Sequence, residues 1–382
     1  MTKDSFPNFL FLSKIIDMQL GILKSKNTPL VSLVPSLAAK YLKDGFSIFI
    51  EKDAGAASFY SDEFYVEAGV NQEQKNEILS KSDLILVDDY ISEEDLKLLK
   101  SETIVIGKFG MTSNPEYAEI LKSATQKIFT LDQVPRSSIA QSMDVQSSLA
   151  SLAGYKAVIG AAVRFSGYFP MMTTAAGTVP PAKVLILGAG VAGLQAIATA
   201  KRLGASIEAF DVRSAVKEEV ESLGAKFVEV AGSTEDRLAG GYAVTQSAEY
   251  IQKQKELIHE KGSKADVIIS TANIPGKKAP LLIEKRTVHA MRPGSVIIDM
   301  ATASGGNCEV SEDNKEIKVN GVTILGDSYL FHRLPKEASR LYSNNLYNFI
   351  KFILKDGVDK IPYGHEIVMK TLLKKPVEQL AN

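Results

Sequence analysis

Cysteine and histidine are scarce in this chain of 382 residues, and neither sign of charge is in excess. The single cysteine cannot form an intramolecular disulfide, and no cluster of cysteine and histidine is present that could hold zinc. Lysine and arginine number 44 against 45 aspartate and glutamate residues, which gives a net charge of -1. Because nucleic-acid binding needs a basic patch, this balance argues against a nucleic-acid partner.

Long apolar runs are also missing. The longest uncharged stretches, 165–182 and 184–200, are interrupted by prolines or glycines, whereas a membrane helix needs about 20 continuous apolar residues. Lys14 and Asp17 interrupt the apolar patches near the N-terminus, and no small-residue cleavage site follows. We therefore expect a soluble protein with no membrane span and no secretion signal.

The hydrophobic patterns indicate strands alternating with helices. Short apolar runs predict strands at 47–51, 83–87, 103–107, 184–187, 206–210, 226–229, 266–270, 295–299 and 322–326. Helical patterns lie between them, at 36–42, 92–100, 114–124, 138–164, 194–203 and 336–354. Such alternation is typical of βαβ units with a parallel sheet, and the length suggests two or three domains.

Two helical patterns are long enough to connect domains, 138–164 and 336–354. The sequence thus predicts an α/β fold of two domains with parallel sheets, joined by two long helices around a cleft. We expect a discontinuous first domain of residues 1–145 and 347–382, and a second domain of residues 146–346. Clefts at domain interfaces commonly bind ligands.

A strand, a glycine-rich turn and a helix follow one another at 184–203. Within the Gly-x-Gly-x-x-Gly turn, Gly188 permits the tight turn, Gly190 allows a pyrophosphate to approach, and Gly193 allows the helix to pack on the strand. Free N–H groups at the helix N-terminus favour an anion. We expect a dinucleotide to be bound by the turn residues Gly188, Ala189, Gly190, Val191, Ala192 and Gly193.

The next strand ends in a carboxylate. Asp211 lies 18 residues beyond Gly193, where a Rossmann fingerprint has the acid that binds the ribose hydroxyls. A carboxylate there favours NAD over NADP, because it would repel a 2′-phosphate. Arg213 is able to hold such a phosphate, although we favour an ion pair at the surface for it. The glycine turn of another α/β protein, such as a methyltransferase, is the alternative.

No general base is evident. The four histidines all lie beyond residue 258, and we expect structural or surface roles for His259, His289, His332 and His365. Dehydrogenation of an alcohol or amine needs a general acid or base near the reacting carbon, whereas hydride exchange between two nicotinamides needs none. That exchange needs two rings held face to face in a dry site.

Segments covering most of 135–350 resemble one family, the proton-translocating nicotinamide nucleotide transhydrogenases, and match their NAD(H)-binding α component. The first is Pro-Arg-Ser-Ser-Ile-Ala-Gln-Ser-Met-Asp-Val-Gln-Ser-Ser at 135–148. Others are the glycine turn and residues 152–158, 210–213, 239–243, 271–276, 305–309 and 338–346. The resemblance implies two Rossmann-like domains and a transhydrogenase that is not of the Si-specific type.

The resemblance implies roles for four residues of the segment 135–148. Arg136 is expected to reach the nicotinamide carboxamide of NAD(H), and Asp144 to pair with Arg136 and fix its side chain. Gln141 is expected where the second nicotinamide arrives, and Ser147 to hydrogen-bond on the nicotinamide side. The alternative for these residues is an ordinary helix cap with a salt bridge.

The resemblance also extends the NAD(H)-binding set. Tyr242 resembles a residue of the loop that closes over the nucleotide in the family, with a plain surface loop as the alternative. Thr271 is expected to contact the nucleotide, or alternatively to cap its strand. The set is completed by Asp211, Val212, Arg213 and Ala272. Cys308, with no base near it in the sequence, is expected to be structural.

The resemblance implies that the chain binds NADH and passes hydride directly to NADP+ on another subunit. The implied partners are a second copy in a homodimer, an NADP(H)-binding β subunit and a membrane α-part-2 subunit that couples the transfer to proton movement. The implied location is the cytoplasmic face of a bacterial inner membrane.

The first quarter departs from the family. Leu30 stands where arginine is usual, and acids within 83–90 stand where a basic residue and two prolines are usual. Alanine dehydrogenase is one alternative, but its site would resemble an arginine at Leu30, a lysine near Asp89 and a histidine within 106–111, and the chain has none of these. The other alternative is a non-catalytic NAD-binding protein. The presence of the family residues Arg136, Gln141, Asp144 and Ser147 argues against it.

Overall fold

The structure is a computed structural model that describes residues 18–230, 247–274 and 276–374. The chain forms two compact units, and each contains its own parallel-strand sheet. The described part of the first unit is 18–146 with 335–374. The described part of the second unit lies within 147–334.

The first unit has a six-stranded parallel sheet in the order β3-β2-β1-β4-β5-β6. Its strands are β1 (Met18–Ile22), β2 (Phe46–Glu51), β3 (Asn71–Glu73), β4 (Leu84–Leu86), β5 (Ile104–Gly107) and β6 (Lys127–Thr130). The helices between them are α1 (Pro35–Lys43), α2 (Asp62–Glu67), α3 (Lys75–Lys81), α4 (Glu93–Leu98) and α5 (Pro115–Ser123). The strand order reverses between β1 and β4, which is where doubly wound sheets form a crevice.

The second unit has a seven-stranded sheet in the order β11-β10-β9-β12-β13-β15-β14, with only the β14–β15 pair antiparallel among its described strands. Helix α6 (Val145–Arg164) and a separate hairpin of β7 (Met172–Thr174) and β8 (Gly177–Val179) precede the sheet. The strands are β9 (Lys183–Leu187), β10 (Ser206–Phe210), β11 (Lys226–Val228), β12 (Val267–Ser270), β13 (Val296–Asp299), β14 (Lys315–Val319) and β15 (Val322–Gly326). The helices are α7 (Val191–Arg202), α8 (Lys217–Ser222), α9 (Ala248–Gly262) and α10 (Lys285–Ala290).

Helices α11 (Pro335–Ile353) and α12 (Glu366–Thr371) return to the first unit. One face of α11 is buried there, including Tyr342, Leu346 and Phe349 at 0% exposure. The ring of Phe349 meets that of Phe129 on β6 edge to face, with the centroids 5.6 Å apart. Aromatic and aliphatic side chains of α11 thus complete the core of the first unit.

The expected α/β fold with parallel-strand sheets is confirmed, and the predicted strands 206–210 and 322–326 have the observed bounds. The helix predicted over 138–164 was wrong in its first turns. Residues Ser138–Met143 form a 3-10 helix, and the extended backbone of Asp144, with φ -76 and ψ 90, separates it from α6. The domain bounds and the cleft expected from the sequence remain predictions.

Candidate functional site

The glycine turn of the second unit lies at the carboxyl end of β9, where the strand order reverses between β9 and β12. Gly188 has a φ of +97, and a Cβ there would lie 2.8 Å from the Thr271 Oγ1. A Cβ on Gly193 would lie 1.9 Å from the Gly188 carbonyl oxygen. These two glycines are therefore required by the packing of the protein itself.

Gly190 differs from its two neighbours in the turn. A Cβ added to Gly190 would have no heavy atom of the described residues within 4 Å, apart from those of Gly190 itself and its two neighbours in the sequence. Gly190 is the N-cap of α7, which has 12 residues, no side-chain capping bond and no acid in its first turn. The structure thus leaves room over Gly190 and donors at the helix start, the combination that a pyrophosphate needs.

Asp211 directly follows β10 and is nearly buried, with 8% of its surface exposed. Its Oδ2 accepts a hydrogen bond from the Ala189 N–H at 2.7 Å. The expected ion pair of Arg213 is present, and its partner is Asp211, with Nη2 2.8 Å from Oδ2. Hydrogen bonding to Asp211 raises the pKa of Arg213. The acid expected at the ribose is thus joined to both the glycine turn and the arginine.

Thr271 and Ala272 follow β12 and face the same turn. The Thr271 hydroxyl donates to the Gly188 carbonyl at 3.0 Å, and its N–H donates to the Leu187 carbonyl at 2.7 Å. The Ala272 carbonyl accepts from the Asn307 Nδ2 at 2.8 Å. Thr271 therefore supports the glycine turn, and this strand-end role is compatible with a nucleotide contact.

Asn307 is a supporting residue that the sequence reasoning missed. Its side chain is fully buried, and its Oδ1 accepts from the Ser270 hydroxyl at 2.7 Å. The Asn307 Nδ2 also donates to the Pro280 carbonyl at 2.8 Å, and the backbone N–H of Asn307 donates to the Asp299 Oδ2 at 2.8 Å. The Gly-Gly-Asn-Cys segment at 305–308 was the available signal, but a sequence does not reveal the residues with which an asparagine side chain will form hydrogen bonds.

The chain passes from the 3-10 helix Ser138–Met143 into α6 at Asp144, and the predicted residues lie along this stretch, at Arg136, Gln141, Asp144 and Ser147. Arg136 and Gln141 are exposed, Asp144 is 9% exposed, and Ser147 is half-buried. Asp144 immediately precedes α6 and Ser147 is its third residue, the spacing of a helix cap. The first three residues belong to the first unit and Ser147 to the second. Tyr242 lies outside the described residues.

The described histidines include two with structural partners. The His259 Nδ1 lies 3.0 Å from the Thr287 hydroxyl, and the His365 Nδ1 accepts the Ile367 N–H at the start of α12. Within the described ranges, no group of three or more histidine, cysteine or acidic residues is placed to hold a metal ion. The same part of the chain contains no helix long and apolar enough to cross a bilayer.

The parallel-strand sheet and the glycine turn together define an α/β protein of the Rossmann-like class. Comparison with protein families gives two matches, "Alanine dehydrogenase/PNT, N-terminal domain" over residues 24–153 and "Alanine dehydrogenase/PNT, C-terminal domain" over residues 157–377. The chain belongs to this alanine dehydrogenase/PNT family of NAD-binding oxidoreductases.

Within the family, the chain is similar to transhydrogenase subunits. It is 42% identical to the first part of the divided NAD(P) transhydrogenase subunit alpha of Rickettsia prowazekii over 359 residues, which cover 92% of this chain and 93% of that protein. The Rhodospirillum rubrum protein of the same name is 43% identical over 84% of this chain and 85% of its own length. The crystal structure of transhydrogenase from Sinorhizobium meliloti superposes with a TM-score of 0.84 and 38% identity, covering 93% of this chain and 98% of that one.

Alanine dehydrogenases are more distant. The enzyme of Methanococcus maripaludis is 24% identical over 95% of this chain and 91% of its own length. A solved L-alanine dehydrogenase has a TM-score of 0.76 at 23% identity, covering 93% of this chain and 94% of that one, a likeness of fold alone.

Proposed function

We propose that this chain is the NAD(H)-binding first part of the α subunit of a proton-translocating NAD(P)+ transhydrogenase. When bound, NADH would supply a hydride that passes to NADP+ on a partner subunit, so that NADH is oxidised and NADP+ is reduced. A membrane partner would couple this transfer to proton translocation. The structural observation that carries the NAD(H) assignment is the open position over Gly190 at the start of α7.

The second unit would hold the nucleotide. The N–H groups at the start of α7 would bind the pyrophosphate, because Gly190 presents no Cβ to it. Asp211 would bind the adenosine ribose beside Val212 and Arg213, and Thr271 with Ala272 would line the opposite strand end. Tyr242 would close over the nucleotide. The complete set of residues proposed to line the nucleotide site is Gly188, Ala189, Gly190, Val191, Ala192, Gly193, Asp211, Val212, Arg213, Tyr242, Thr271 and Ala272.

The segment around the start of α6 would orient the reacting rings. Arg136 would bind the nicotinamide carboxamide, and the low exposure of Asp144 suits a carboxylate that fixes an arginine rather than a solvated surface acid. Gln141 and Ser147 would bind on the side where the second nicotinamide arrives. The proposed mechanism needs no residue that transfers a proton, because direct hydride transfer between nicotinamides requires only positioning of the rings and the exclusion of water.

The proposed partners are an NADP(H)-binding β subunit, a membrane α-part-2 subunit and a second copy of this chain. Support for the first two is that the relatives are named as the first part of a divided subunit alpha. The homodimer is supported by the exposed hairpin β7–β8 and by exposed apolar side chains at and beside it. Tyr168, Met171 and Met172 are 48%, 66% and 40% exposed, and exposed apolar patches commonly mark protein interfaces. The proposed location is peripheral, on the cytoplasmic face of a bacterial inner membrane.

An amino-acid oxidoreductase resembling alanine dehydrogenase is disfavoured by the first unit. Leu30 is buried at 1% exposure, and burial raises the pKa of Asp88. The Asp89 carboxylate accepts the consecutive N–H groups of Lys26 and Asn27 at 3.2 and 3.0 Å. Consecutive N–H groups of this kind bind anions, and here the anion is a carboxylate of the chain itself. Leu30 and Asp89 therefore supply no cation at two positions where the dehydrogenase alternative needs one for the substrate carboxylate.

Reconstituted hydride exchange tests the proposal. The purified chain would be mixed with the NADP(H)-binding component of a transhydrogenase, NADH, an oxidised NAD analogue and NADP+. We expect reduction of the analogue that requires both proteins and NADP(H). Oxidation of alanine by the chain alone would instead support the dehydrogenase alternative. NADH binding without exchange, including with a β subunit from the same organism, would support a non-catalytic NAD-binding protein.

A further inference from the structure

The Asp211 carboxylate is bound on all sides by donors of the chain. Its Oδ1 accepts from the backbone N–H and from the Nε of Arg213, both at 2.9 Å. Its Oδ2 accepts from the Ala189 N–H at 2.7 Å and from the Arg213 Nη2 at 2.8 Å. A carboxylate offers about four acceptor positions, so these four donors use its capacity.

The four donors are of two kinds. The N–H groups of Ala189 and Arg213 belong to the backbone, so they hold Asp211 at the turn whatever its ligand. The Nε and Nη2 groups belong to the Arg213 side chain, which is 23% exposed against 6% for the side chain of Asp211. Of the four donors, only the two of the arginine fork can be withdrawn by a change of side-chain rotamer, because the other two belong to the backbone.

We propose that Arg213 is a latch on the ribose subsite, occupying two acceptor positions of Asp211 that the ribose hydroxyls of NAD(H) require and releasing them when NAD(H) binds. This inference rests on the proposed NAD(H) site. The two ribose hydroxyls are donors, and so is the arginine fork, so they compete for the same carboxylate oxygens. Arg213 therefore lowers the affinity for NAD(H), since part of the binding free energy goes to opening the latch.

The same residue has the opposite effect on NADP(H). A guanidinium displaced from Asp211 lies beside the ribose, and its planar fork is suited to bind a 2′-phosphate. Arg213 therefore raises the affinity for NADP(H) relative to an uncharged residue. The two effects together mean that Arg213 narrows the preference for NAD(H) that Asp211 creates.

The test measures the dissociation constants of NADH and NADPH for the full chain and its Arg213→Ala variant. The matched control is Arg202→Ala, which removes the same charge from the exposed end of α7, about 18 Å along the helix from Gly190. We expect Arg213→Ala to bind NADH about threefold to tenfold more tightly and NADPH more weakly. The control variant should leave both dissociation constants unchanged. Arg213→Lys, with a single ammonium instead of a fork, is expected to bind NADH with an intermediate affinity.

Two results separate failure of the latch from failure of the site. If Arg213→Ala and Arg213→Lys weaken NADH while Asp211→Ala also weakens it, Arg213 supports Asp211 and the latch is overturned, but the site stands. If Asp211→Ala leaves NADH binding unchanged, the ribose assignment and the latch both fall. Thermal unfolding of each variant without nucleotide identifies a folding defect. If Arg213→Ala is unstable, the NADH affinity of Arg213→Lys, which keeps the charge, decides whether the latch stands.

Discussion

Gly154 of α6 lies directly against Ala192 in the first turn of α7. A Cβ on Gly154 would be 2.1 Å from the Ala192 carbonyl oxygen and 3.0 Å from its Cα, so the two helices meet backbone to backbone. Only glycine allows so close an approach. The contact fixes the first turn of the helix whose N-terminus we propose as the pyrophosphate site, and it connects the packing of α6 to nucleotide binding.

Replacement of Gly154 should therefore damage both stability and NADH affinity. We expect Gly154→Ala to lower the free energy of unfolding by about 1–3 kcal/mol, because the added methyl must push α6 away from α7. Gly160→Ala is the control on the same helix, where the nearest atom outside the helix backbone would be the Arg164 Nη1 at 3.7 Å. The control should be neutral or stabilising by about 0.4–1 kcal/mol. Equal behaviour of the two variants in denaturant titrations would refute this role of the contact.

The glycine turn should separate binding from folding. Gly190→Ala adds a methyl where no described atom interferes, at a φ of -81 that alanine adopts readily, so its unfolding temperature should be unchanged. The methyl would nevertheless occupy the approach of the pyrophosphate, and NADH affinity should fall by at least about tenfold. Gly193→Ala should instead destabilise the fold, because its Cβ would meet the Gly188 carbonyl. Undiminished NADH affinity of Gly190→Ala would remove the main support for the nucleotide site.

Asp144→Asn tests the orienting role proposed for the start of α6. We expect hydride transfer to slow by about tenfold or more while NADH affinity changes by less than about threefold, since Asn holds an arginine more weakly but leaves the phosphate site intact. Asp95→Asn is the control, because Asp95 is equally buried at 9% exposure and its salt bridge to Lys75 is 2.7 Å long. Parallel losses of transfer and binding in Asp144→Asn would count against the role.

Cys308 should be an unreactive thiol. Burial raises its pKa to about 12, so the reactive thiolate is scarce at neutral pH. We expect alkylation at pH 8 to be slow in the native protein and fast after unfolding. The raised pKa also favours folding below the pKa of the unfolded thiol, about 8.5, and this contribution is lost as the pH rises towards 12. Rapid native alkylation, or alkaline unfolding identical in wild type and Cys308→Ala, would contradict the assignment.

The sequence predicted those regions of the fold that have strong apolar patterns. Strands β10 and β15 were predicted with their observed bounds, whereas β3, Asn-Gln-Glu, is polar and largely exposed and gave no signal. The break at Asp144 was missed because helical periodicity continues across it, while the extended backbone of that one residue ends the 3-10 helix.

The glycine turn was predictable from sequence because the spacing of its three glycines, between a strand pattern and a helix pattern, is itself a local signal. The partner of Arg213 was not, since Asp211, two residues before it, is one of several acids available and the sequence does not show which of them the fork will bind. The same holds for Asn307, whose bond to Ala272 joins residues 35 positions apart. Long-range polar contacts depend on how strands are ordered, which local patterns do not specify.

The most direct test of the proposed function follows the transferred hydrogen itself. NADH deuterated on the transferred position would be mixed with this chain, an NADP(H)-binding transhydrogenase component and NADP+, and the NADPH formed would be analysed by mass spectrometry. The corresponding Rhodospirillum rubrum subunit would serve as the positive control for the partner. We predict deuterium in the NADPH with none lost to water, and a loss of transfer in Asp144→Asn. Absence of deuterated NADPH, both with that partner and with a β subunit from the same organism, while the control transfers deuterium, would contradict direct hydride transfer by this protein.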